Sequence, residues 1–384
     1  MERDPLLTLA ADLIRAPSPS GAEGPAVEVM LAAFRDLGFD AAHRDEAGNA
    51  VGVLRRGDGP IVMLNGHLDT VPVGDASLWP HPPLDGVVAD GRLWGRGASD
   101  MKSSLACMAL AAADAAAAGF RGTLVVAGVV QEEVGGLGAR HMGRTLPVDV
   151  VLLGEPSRST LKLGHRGRTE VEVRFPGAIA HAAKATLGEN ALYHAARYLA
   201  ALERLELPTG GPLGGSSATP TQLVSYPQDG ANVVPGAARL TIDYRTIPGD
   251  DEEALLARLA GIAHDPRITL AIPIEDAVSE DGGLRQRYPR ATDPYLVDAS
   301  GAAVATARDT LQRVLPRHGR TFEEGTWWFC TDAPHLAVSG ADIVGYGPGD
   351  EELAHTTRES VEVASLAVAR DVYKELALAY LGQP

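Results

Sequence analysis

The 384-residue sequence is poor in cysteine and in basic residues, and each shortage argues against a class of protein. Its two cysteines, Cys107 and Cys330, lie far apart and outside any Cys-x-x-Cys spacing, which disfavours a disulfide framework and a thiolate metal site. Asp and Glu outnumber Lys and Arg by 50 to 34, giving a formal net charge of −16. The attraction that supports binding to nucleic acids or anionic membranes is therefore missing, and we expect neither partner.

Long apolar runs are also missing. No run of 18 apolar residues occurs, and charged residues interrupt the apolar residues between Met1 and Arg15. Because a membrane span or a signal peptide needs an uninterrupted apolar segment, the sequence predicts a cytoplasmic protein. Hydrophobic residues still make up 45% of the chain, enough for packed cores. The length suggests two domains.

The order of the predicted elements indicates two architectures. Continuous apolar runs at 61–64, 123–130 and 148–153 alternate with helical patterns, as in an α/β sheet covered on both faces. Between 169 and 275 the predicted order is strand, helix, two strands, helix, strand, which fits an inserted α+β, ferredoxin-like unit. We therefore predict a discontinuous α/β domain with a mainly parallel sheet, residues 1–168 and 276–384, and an inserted domain, residues 169–275.

Histidines and carboxylates follow several predicted strands. His67 comes after the run at 61–64, the pair Glu132-Glu133 follows the run at 123–130, and Glu155 follows the run at 148–153. Asp100 lies in a glycine-rich segment directly before an Ala-rich helix, and His355 follows a glycine-rich turn. Each has an ordinary interpretation when taken alone: a turn histidine, a helix N-cap for Asp100, or a solvated loop acid.

Taken together, these side chains favour a metal site. Open α/β sheets gather their ligands at the carboxyl ends of the strands, and imidazole and carboxylate groups are donors that zinc accepts. Two adjacent acids repel each other unless a cation separates their roles, so one of Glu132 and Glu133 can bind metal while the other takes a proton from water. Ser99-x-x-Lys102 offers a serine-enzyme alternative, although no Ser-Asp-Asn or Lys-Thr-Gly accompanies it.

The same residues resemble the M20 metallopeptidase family, which includes acetylornithine deacetylase, succinyl-diaminopimelate desuccinylase, aminoacylase-1 and glutamate carboxypeptidases. The resemblance covers nearly the whole chain. The matching motifs are His67-Leu68-Asp69-Thr70, Gly95-Arg96-Gly97 through Asp100, Glu132-Glu133, Gly154-Glu155-Pro156 and His355. The resemblance implies a zinc-peptidase-like catalytic domain, and it makes the inserted domain a lid that forms a homodimer interface.

The family pattern also implies the ligand set of two zinc ions, for which cobalt can substitute. His67, Asp100 and Glu155 would hold one ion. Asp100, Glu133 and His355 would hold the other, with Asp100 as the bridge.

Further roles follow from the same resemblance. Asp69 would orient His67, and Glu132 would be the general base that takes the proton of the attacking water and passes it to the leaving nitrogen. His181 resembles the lid histidine that reaches the partner subunit's active site and stabilises the oxyanion. The chain departs from the family here, because Lys184-Ala185-Thr186 replaces the frequent residues after that histidine.

Four more residues match positions that bind substrate. Asn232 and Arg245 correspond to residues that bind the substrate's carboxylate or the oxyanion, and a guanidinium fork suits a carboxylate. Gly347 and Gly349 would present backbone N–H groups.

The expected reaction is hydrolysis of an amide bond in an N-acyl amino acid or small peptide with a free carboxylate. A metallo-carboxypeptidase or dipeptidase of the same family is the alternative, and a catalytically silent binding protein on the same scaffold is a more remote one. Within the family, Gly164-His165-Arg166-Gly167-Arg168 looks most similar to a bacterial branch of YgeY-like hydrolases.

Overall fold

The computed structural model describes residues 4–382. Residues 1–3 and 383–384, the ends of the predicted catalytic domain, lie outside that range. The first part of the chain contains α1 (Pro5–Arg15), α2 (Gly24–Asp36), β1 (Ala41–Arg44), β2 (Ala50–Arg56), β3 (Ile61–His67), β4 (Val87–Ala89), β5 (Arg92–Trp94), α3 (Lys102–Ala118), β6 (Gly122–Val129), α4 (Leu137–Thr145), β7 (Val150–Leu153) and β8 (Leu161–His165).

The middle part contains β9 (Gly167–Pro176), β10 (Ala180–His181), α5 (Ala191–Leu202), β11 (Ser217–Tyr226), β12 (Val233–Val234), β13 (Ala237–Thr246), α6 (Glu252–Gly261) and β14 (Thr269–Ala271). The last part contains β15 (Ile274–Val278), β16 (Arg285–Pro289), β17 (Ala291–Thr292), β18 (Tyr295–Leu296), α7 (Ala302–Val314), β19 (Glu324–Trp327), α8 (Ala333–Leu336), β20 (Asp342–Gly345), β21 (Ser360–Glu362) and α9 (Val363–Leu381).

The large sheet has the order β1-β2-β6-β3-β7-β20-β8-β18, and β19 also pairs with β8. Its four central strands, β6, β3, β7 and β20, run parallel to one another. These strands are mostly apolar because helices cover both faces of the sheet, so most of their side chains are buried on either side. The predicted α/β class with a mainly parallel sheet is confirmed.

Helix α3 shows how composition fits position. Its alanines allow close packing, and nearly the whole helix is buried against α1, α9 and the sheet. It ends at Gly119, whose φ of 89° lies in the left-handed region that glycine tolerates.

The smaller sheet has the order β11-β13-β9-β14, and all its pairs are antiparallel. Helices α5 and α6 pack on one face over a separate apolar core that includes Val173, Tyr198, Leu240 and Leu259. The predicted order of strand, helix, two strands, helix and strand agrees with these elements, with β10 and β12 as short additions. The boundaries at 168/169 and 275/276 stay a prediction, and β17 at Ala291–Thr292 still pairs with β9.

The hairpin of β15 and β16 was not anticipated from the sequence. It packs over the loop that follows β6, where Leu137, Ala277 and Tyr288 form a small apolar cluster. Among residues 4–382, no helix combines the length and the apolar character that a membrane crossing requires.

Candidate metal centre

The four central parallel strands deliver the predicted ligands to one edge of the large sheet. Strand β3 ends at His67, β6 ends just before the Glu132-Glu133 pair, and β7 ends two residues before Glu155. Strand β20 leads into the loop that carries His355. Residues separated by up to 288 positions therefore meet because parallel strands share a carboxyl edge.

His67 and Asp100 form the first part of the centre. The Nε2 atom of His67 lies 2.9 Å from Oδ1 of Asp100 and 3.9 Å from Oε2 of Glu155. The other ring nitrogen, Nδ1, lies 2.9 Å from the backbone oxygen of Asp69, to which it can donate its proton. That bond leaves the lone pair of Nε2 directed at the two carboxylates, the tautomer that a metal-ligating histidine needs.

His355 and Glu133 form the second part. The Nε2 atom of His355 lies 2.9 Å from Oε1 of Glu133 and 3.3 Å from Oδ2 of Asp100. The two oxygens of Asp100 thus face different histidines. His67, Asp100 and Glu133 each offer a ligand atom within 4.8 Å of the others, a grouping that can hold a metal ion. The N-cap interpretation of Asp100 is wrong, because α3 begins at Lys102 with Met101 as its N-cap.

The carboxylate of Asp69 holds the turn that carries the paired glutamates. Its Oδ1 accepts the backbone N–H of Glu132 at 3.0 Å, and its Oδ2 accepts that of Glu133 at 3.1 Å. Oδ2 also accepts the hydroxyl of Ser20 at 2.7 Å, while Oδ1 lies 3.5 Å from Nδ1 of His67. Asp69 is fully buried. Its contacts position both the turn that carries the two glutamates and the imidazole ring of His67.

Burial dominates the electrostatics of the centre. It raises the pKa of Glu132 and of Glu155 well above the usual glutamate range. The Glu155 carboxylate adds to the shift of Glu132, and the Asp100 carboxylate adds to that of Glu155. Burial also opposes ionisation of Asp100, but hydrogen bonds from His355 and His67 outweigh it and hold the Asp100 pKa below its usual value. Several carboxylates buried close together need a nearby positive charge to stabilise their ionised forms, and a bound metal ion can supply it.

Two positions near the centre adopt left-handed backbone. Gln131, directly before the paired glutamates, has a φ of 60°, and His355 has a φ of 62°. Such values are uncommon for residues other than glycine and concentrate at functional sites.

Glu359 organises the loop that presents Asp100, and sequence reasoning missed it. One carboxylate oxygen accepts the backbone N–H groups of Gly97, Ser99 and Asp100 at 2.9 to 3.1 Å. The other oxygen pairs with the guanidinium of Arg96. Glu359 is fully buried, and its only signal in the sequence is its place four residues after His355.

Ser99 and Lys102 do not form a nucleophile pair. The Ser99 hydroxyl donates to the backbone oxygen of Asp350 at 2.9 Å. The Nζ atom of Lys102 is buried and donates to the backbone oxygens of Leu13 and Ala16, both at 2.8 Å. The geometry therefore gives the serine-enzyme alternative no support, and it assigns Lys102 to anchoring the end of α1.

Lys102 should make stability depend on pH. Burial lowers its pKa to about 7, against 10.5 for an ordinary lysine. Between these values the unfolded chain binds the proton and the folded chain does not, so the free energy of unfolding rises with pH. Relative to Lys102→Met, the wild type should gain about 1 kcal/mol per pH unit between pH 7 and 9, measured by urea unfolding. Lys184→Met, at an exposed lysine, is the control; parallel pH curves for wild type and Lys102→Met would contradict the prediction.

The predicted lid residues divide into two groups. His181 and Asn232 lie side by side on the exposed surface of the smaller domain, because β10 pairs with β12 and the backbone oxygen of Asn232 accepts the N–H of Ala182. Within residues 4–382 no hydrogen bond or ion pair joins them to the metal centre. Arg245 lies at the end of β13, where Asp243 holds its Nε at 2.7 Å and its Nη1 lies 3.7 Å from Sγ of Cys330.

Gly347 and Gly349 lie where the backbone passes very close to other loops. A Cβ atom at Gly347 would overlap the carbonyl oxygen of Glu155, and one at Gly349 would overlap that of Ser99. The N–H of Gly347 donates to Oγ of Ser157 at 2.9 Å, so this donor is already engaged within the loop. The glycines are required by packing, and their substrate-binding role stays a prediction.

The chain matches known proteins over almost its full length. The sequence profile of peptidase family M20/M25/M40 matches residues 63–379. Succinyl-diaminopimelate desuccinylase of Marinobacter nauticus is 28% identical, with 98% of each chain covered. That alignment supports a hydrolytic enzyme.

Two solved structures share the fold. The M20 family metallo-carboxypeptidase Sso-CP2 from Sulfolobus solfataricus is 17% identical with a TM-score of 0.77, covering 98% of this chain and 99% of that one. The YXEP protein of Bacillus subtilis, a dinuclear metal-binding peptidase, is 16% identical with a TM-score of 0.72, covering 98% and 97%. From the family match and the ligand geometry we conclude that this chain is a hydrolytic enzyme belonging to peptidase family M20/M25/M40.

Proposed function

We propose that the enzyme is a two-zinc amidohydrolase that cleaves the amide bond of an N-acyl amino acid or small peptide with a free carboxylate. His67, Asp100 and Glu155 hold one ion. Asp100, Glu133 and His355 hold the other, and cobalt can replace zinc. The convergence of both histidines on the two oxygens of Asp100 supports this function most directly.

The donor set fits zinc. Two imidazoles and three carboxylates supply only nitrogen and oxygen, and His67 already has its second nitrogen bound by a backbone oxygen. When bound, the two ions lower the pKa of the attacking water and polarise the scissile carbonyl.

Glu132 provides the acid–base chemistry. Within residues 4–382 its side chain makes no ion pair with His67 or His355, whereas Glu133 pairs with His355. Asp69 fixes the Glu132 backbone, and the Glu132 carboxyl lies near enough to Glu155 and His67 for their charges to shift its pKa. It takes the proton of the attacking water and delivers it to the leaving nitrogen.

Arg245 suits the substrate's free carboxylate. Asp243 holds the guanidinium from one side and leaves the Nη1 edge directed at Cys330, which lies between β19 and α8 in the predicted catalytic domain. Asn232, Gly347 and Gly349 complete this proposed binding region.

A homodimer through the lid would bring His181 to the partner's site. Within residues 4–382 the His181 side chain is exposed, and in its one hydrogen bond it accepts the N–H of the neighbouring Ala183. Strand β11 is a ten-residue edge strand with mainly exposed side chains, which can pair with another strand. Exposed apolar side chains on the same domain, Ile179, Leu187, Tyr193 and Leu223, also favour an interface there.

A peptidase is the second candidate, because the similar structures include a metallo-carboxypeptidase and another peptidase. The desuccinylase relative favours the deacylase, since it matches at higher identity. The placement in the YgeY-like branch and the cytoplasmic location stay predictions from the sequence.

A metal-dependent activity screen tests the function. The protein is loaded with zinc or cobalt and assayed against N-acyl amino acids and dipeptides, each paired with its carboxyl-terminal amide. We expect hydrolysis of at least one class of substrate and a lower kcat/KM for the carboxyl-terminal amides. A chelator should abolish this activity, whereas a serine-directed acylating agent should not. Absence of hydrolysis across a broad panel would favour the silent scaffold.

A further inference from the structure

A second group of metal-ligand side chains lies in the lid, outside the proposed active site. We call it the lid histidine cluster: Glu189, His194, His264, Asp265 and Arg267. Glu189, His194 and Asp265 each offer a donor atom within 4.8 Å of the others. The residues come from the start of α5 and from the loop between α6 and β14.

His194 is the centre of the cluster and is buried, with 8% of its surface exposed. Its Nε2 lies 2.8 Å from Oε1 of Glu189. Because a carboxylate only accepts, Nε2 carries a proton that it donates to Glu189. In the neutral ring this leaves a lone pair on Nδ1, so Glu189 sets the tautomer as carboxylates do behind metal-ligating histidines.

Two further atoms that could bind a metal lie near Nδ1 of His194. Nε2 of His264 lies 3.0 Å away and Oδ2 of Asp265 lies 3.9 Å away. Ligand atoms on a tetrahedral zinc ion, each about 2.0–2.1 Å from the metal, are about 3.3 Å apart. The two observed separations bracket that value. The His194 and His264 rings lie nearly parallel, with centroids 5.1 Å apart, so both rings would turn to place the three atoms on one ion.

Arg267 already supplies a positive charge here. Its guanidinium donates to Glu189 at 2.6 and 3.0 Å and to Asp265 at 2.6 and 3.1 Å. The Arg267 side chain is 53% exposed, so it covers the cluster from the solvent side and can turn away. A metal ion would compete with it for Oδ2 of Asp265, while Arg267 could keep its contact with Glu189.

We propose that the lid histidine cluster binds a divalent transition-metal ion such as zinc, through Nδ1 of His194, Nε2 of His264 and a carboxylate oxygen of Asp265. Glu189 orients His194, and Arg267 competes with the ion. Glu189 also exchanges backbone hydrogen bonds with Ala178 at 2.8 and 2.9 Å, at the base of the segment that carries His181. The ion would therefore fasten α5 to the loop between α6 and β14, and Glu189 would connect this site to the segment that carries His181.

Metal counting on the full-length protein tests this site independently of the catalytic one. Metal-free protein is titrated with zinc, and the bound zinc per chain is measured by elemental analysis after removal of free ion. We expect His194→Ala and His264→Ala each to bind one zinc ion fewer per chain than the wild type. Arg267→Ala should bind that ion several-fold more tightly, because the competing charge is gone.

The control is His318→Ala, which removes an exposed histidine that pairs with a single carboxylate, Asp371, at 2.9 Å. It should leave the zinc content unchanged. His264 is exposed, so His264→Ala carries the test if replacement of the buried His194 impairs folding. Equal zinc content in wild type and His264→Ala would overturn the site, and weaker binding in Arg267→Ala would overturn the competition.

Discussion

Glu132→Gln should lower kcat by about 10²- to 10⁴-fold while the bound metal stays at the wild-type level. Glutamine keeps the size and shape of the side chain but cannot take a proton from water. The backbone of residue 132 would still be held by Asp69, so the turn should not move. The measurement is kcat on the best substrate of the screen, together with zinc content by elemental analysis.

Glu133→Gln is the matched control, because it changes the neighbouring carboxylate, which lies 2.9 Å from His355. We expect this variant to lose metal as well as rate. The assignment of Glu132 as the base fails if Glu132→Gln hydrolyses substrate normally. It also fails if the two variants lose metal to the same extent.

Glu359→Gln should destabilise the protein by about 3–5 kcal/mol, the usual effect of breaking a buried ion pair. The amide would place hydrogen-bond donors against either the Arg96 guanidinium or the three backbone N–H groups that Glu359 accepts. Because one of those N–H groups belongs to Asp100, we also expect lower zinc content. Urea unfolding and elemental analysis measure the two effects.

Glu362→Gln provides the comparison at a nearby surface glutamate. Its side chain is 55% exposed and its ion pairs with Arg92 and Arg320 span 3.5 to 3.6 Å, so the loss should be at most about 1 kcal/mol. Similar unfolding free energies for Glu359→Gln and Glu362→Gln would contradict the organising role of Glu359.

The sequence predicts the ligand-bearing strands well for a physical reason. Strands β3, β6 and β7 are buried on both faces, so they appear as continuous apolar runs that end where His67, Glu132 and Glu155 follow. Parallel strands then bring these side chains to one edge of the sheet.

The contacts behind the ligands could not be predicted in the same way. Glu359 meets Arg96 across 263 positions of sequence, and neither residue lies in a periodic pattern that reports burial. Lys102 looks like part of a serine motif in the sequence, but its burial depends on how α1 packs against α3. The hairpin of β15 and β16 is rich in charged residues, so its strands carry little apolar signal.

The position of β20 has a consequence for how the chain folds during synthesis. This strand spans residues 342–345, yet it lies between β7 (residues 150–153) and β8 (residues 161–165). The ribosome therefore synthesises β7 and β8 long before β20. Until it arrives, β7 and β8 have unpaired backbone groups at the middle of the sheet, which are open to pairing with another chain. The candidate metal centre, to which the loop after β20 contributes His355, can therefore form only after residues up to His355 have emerged.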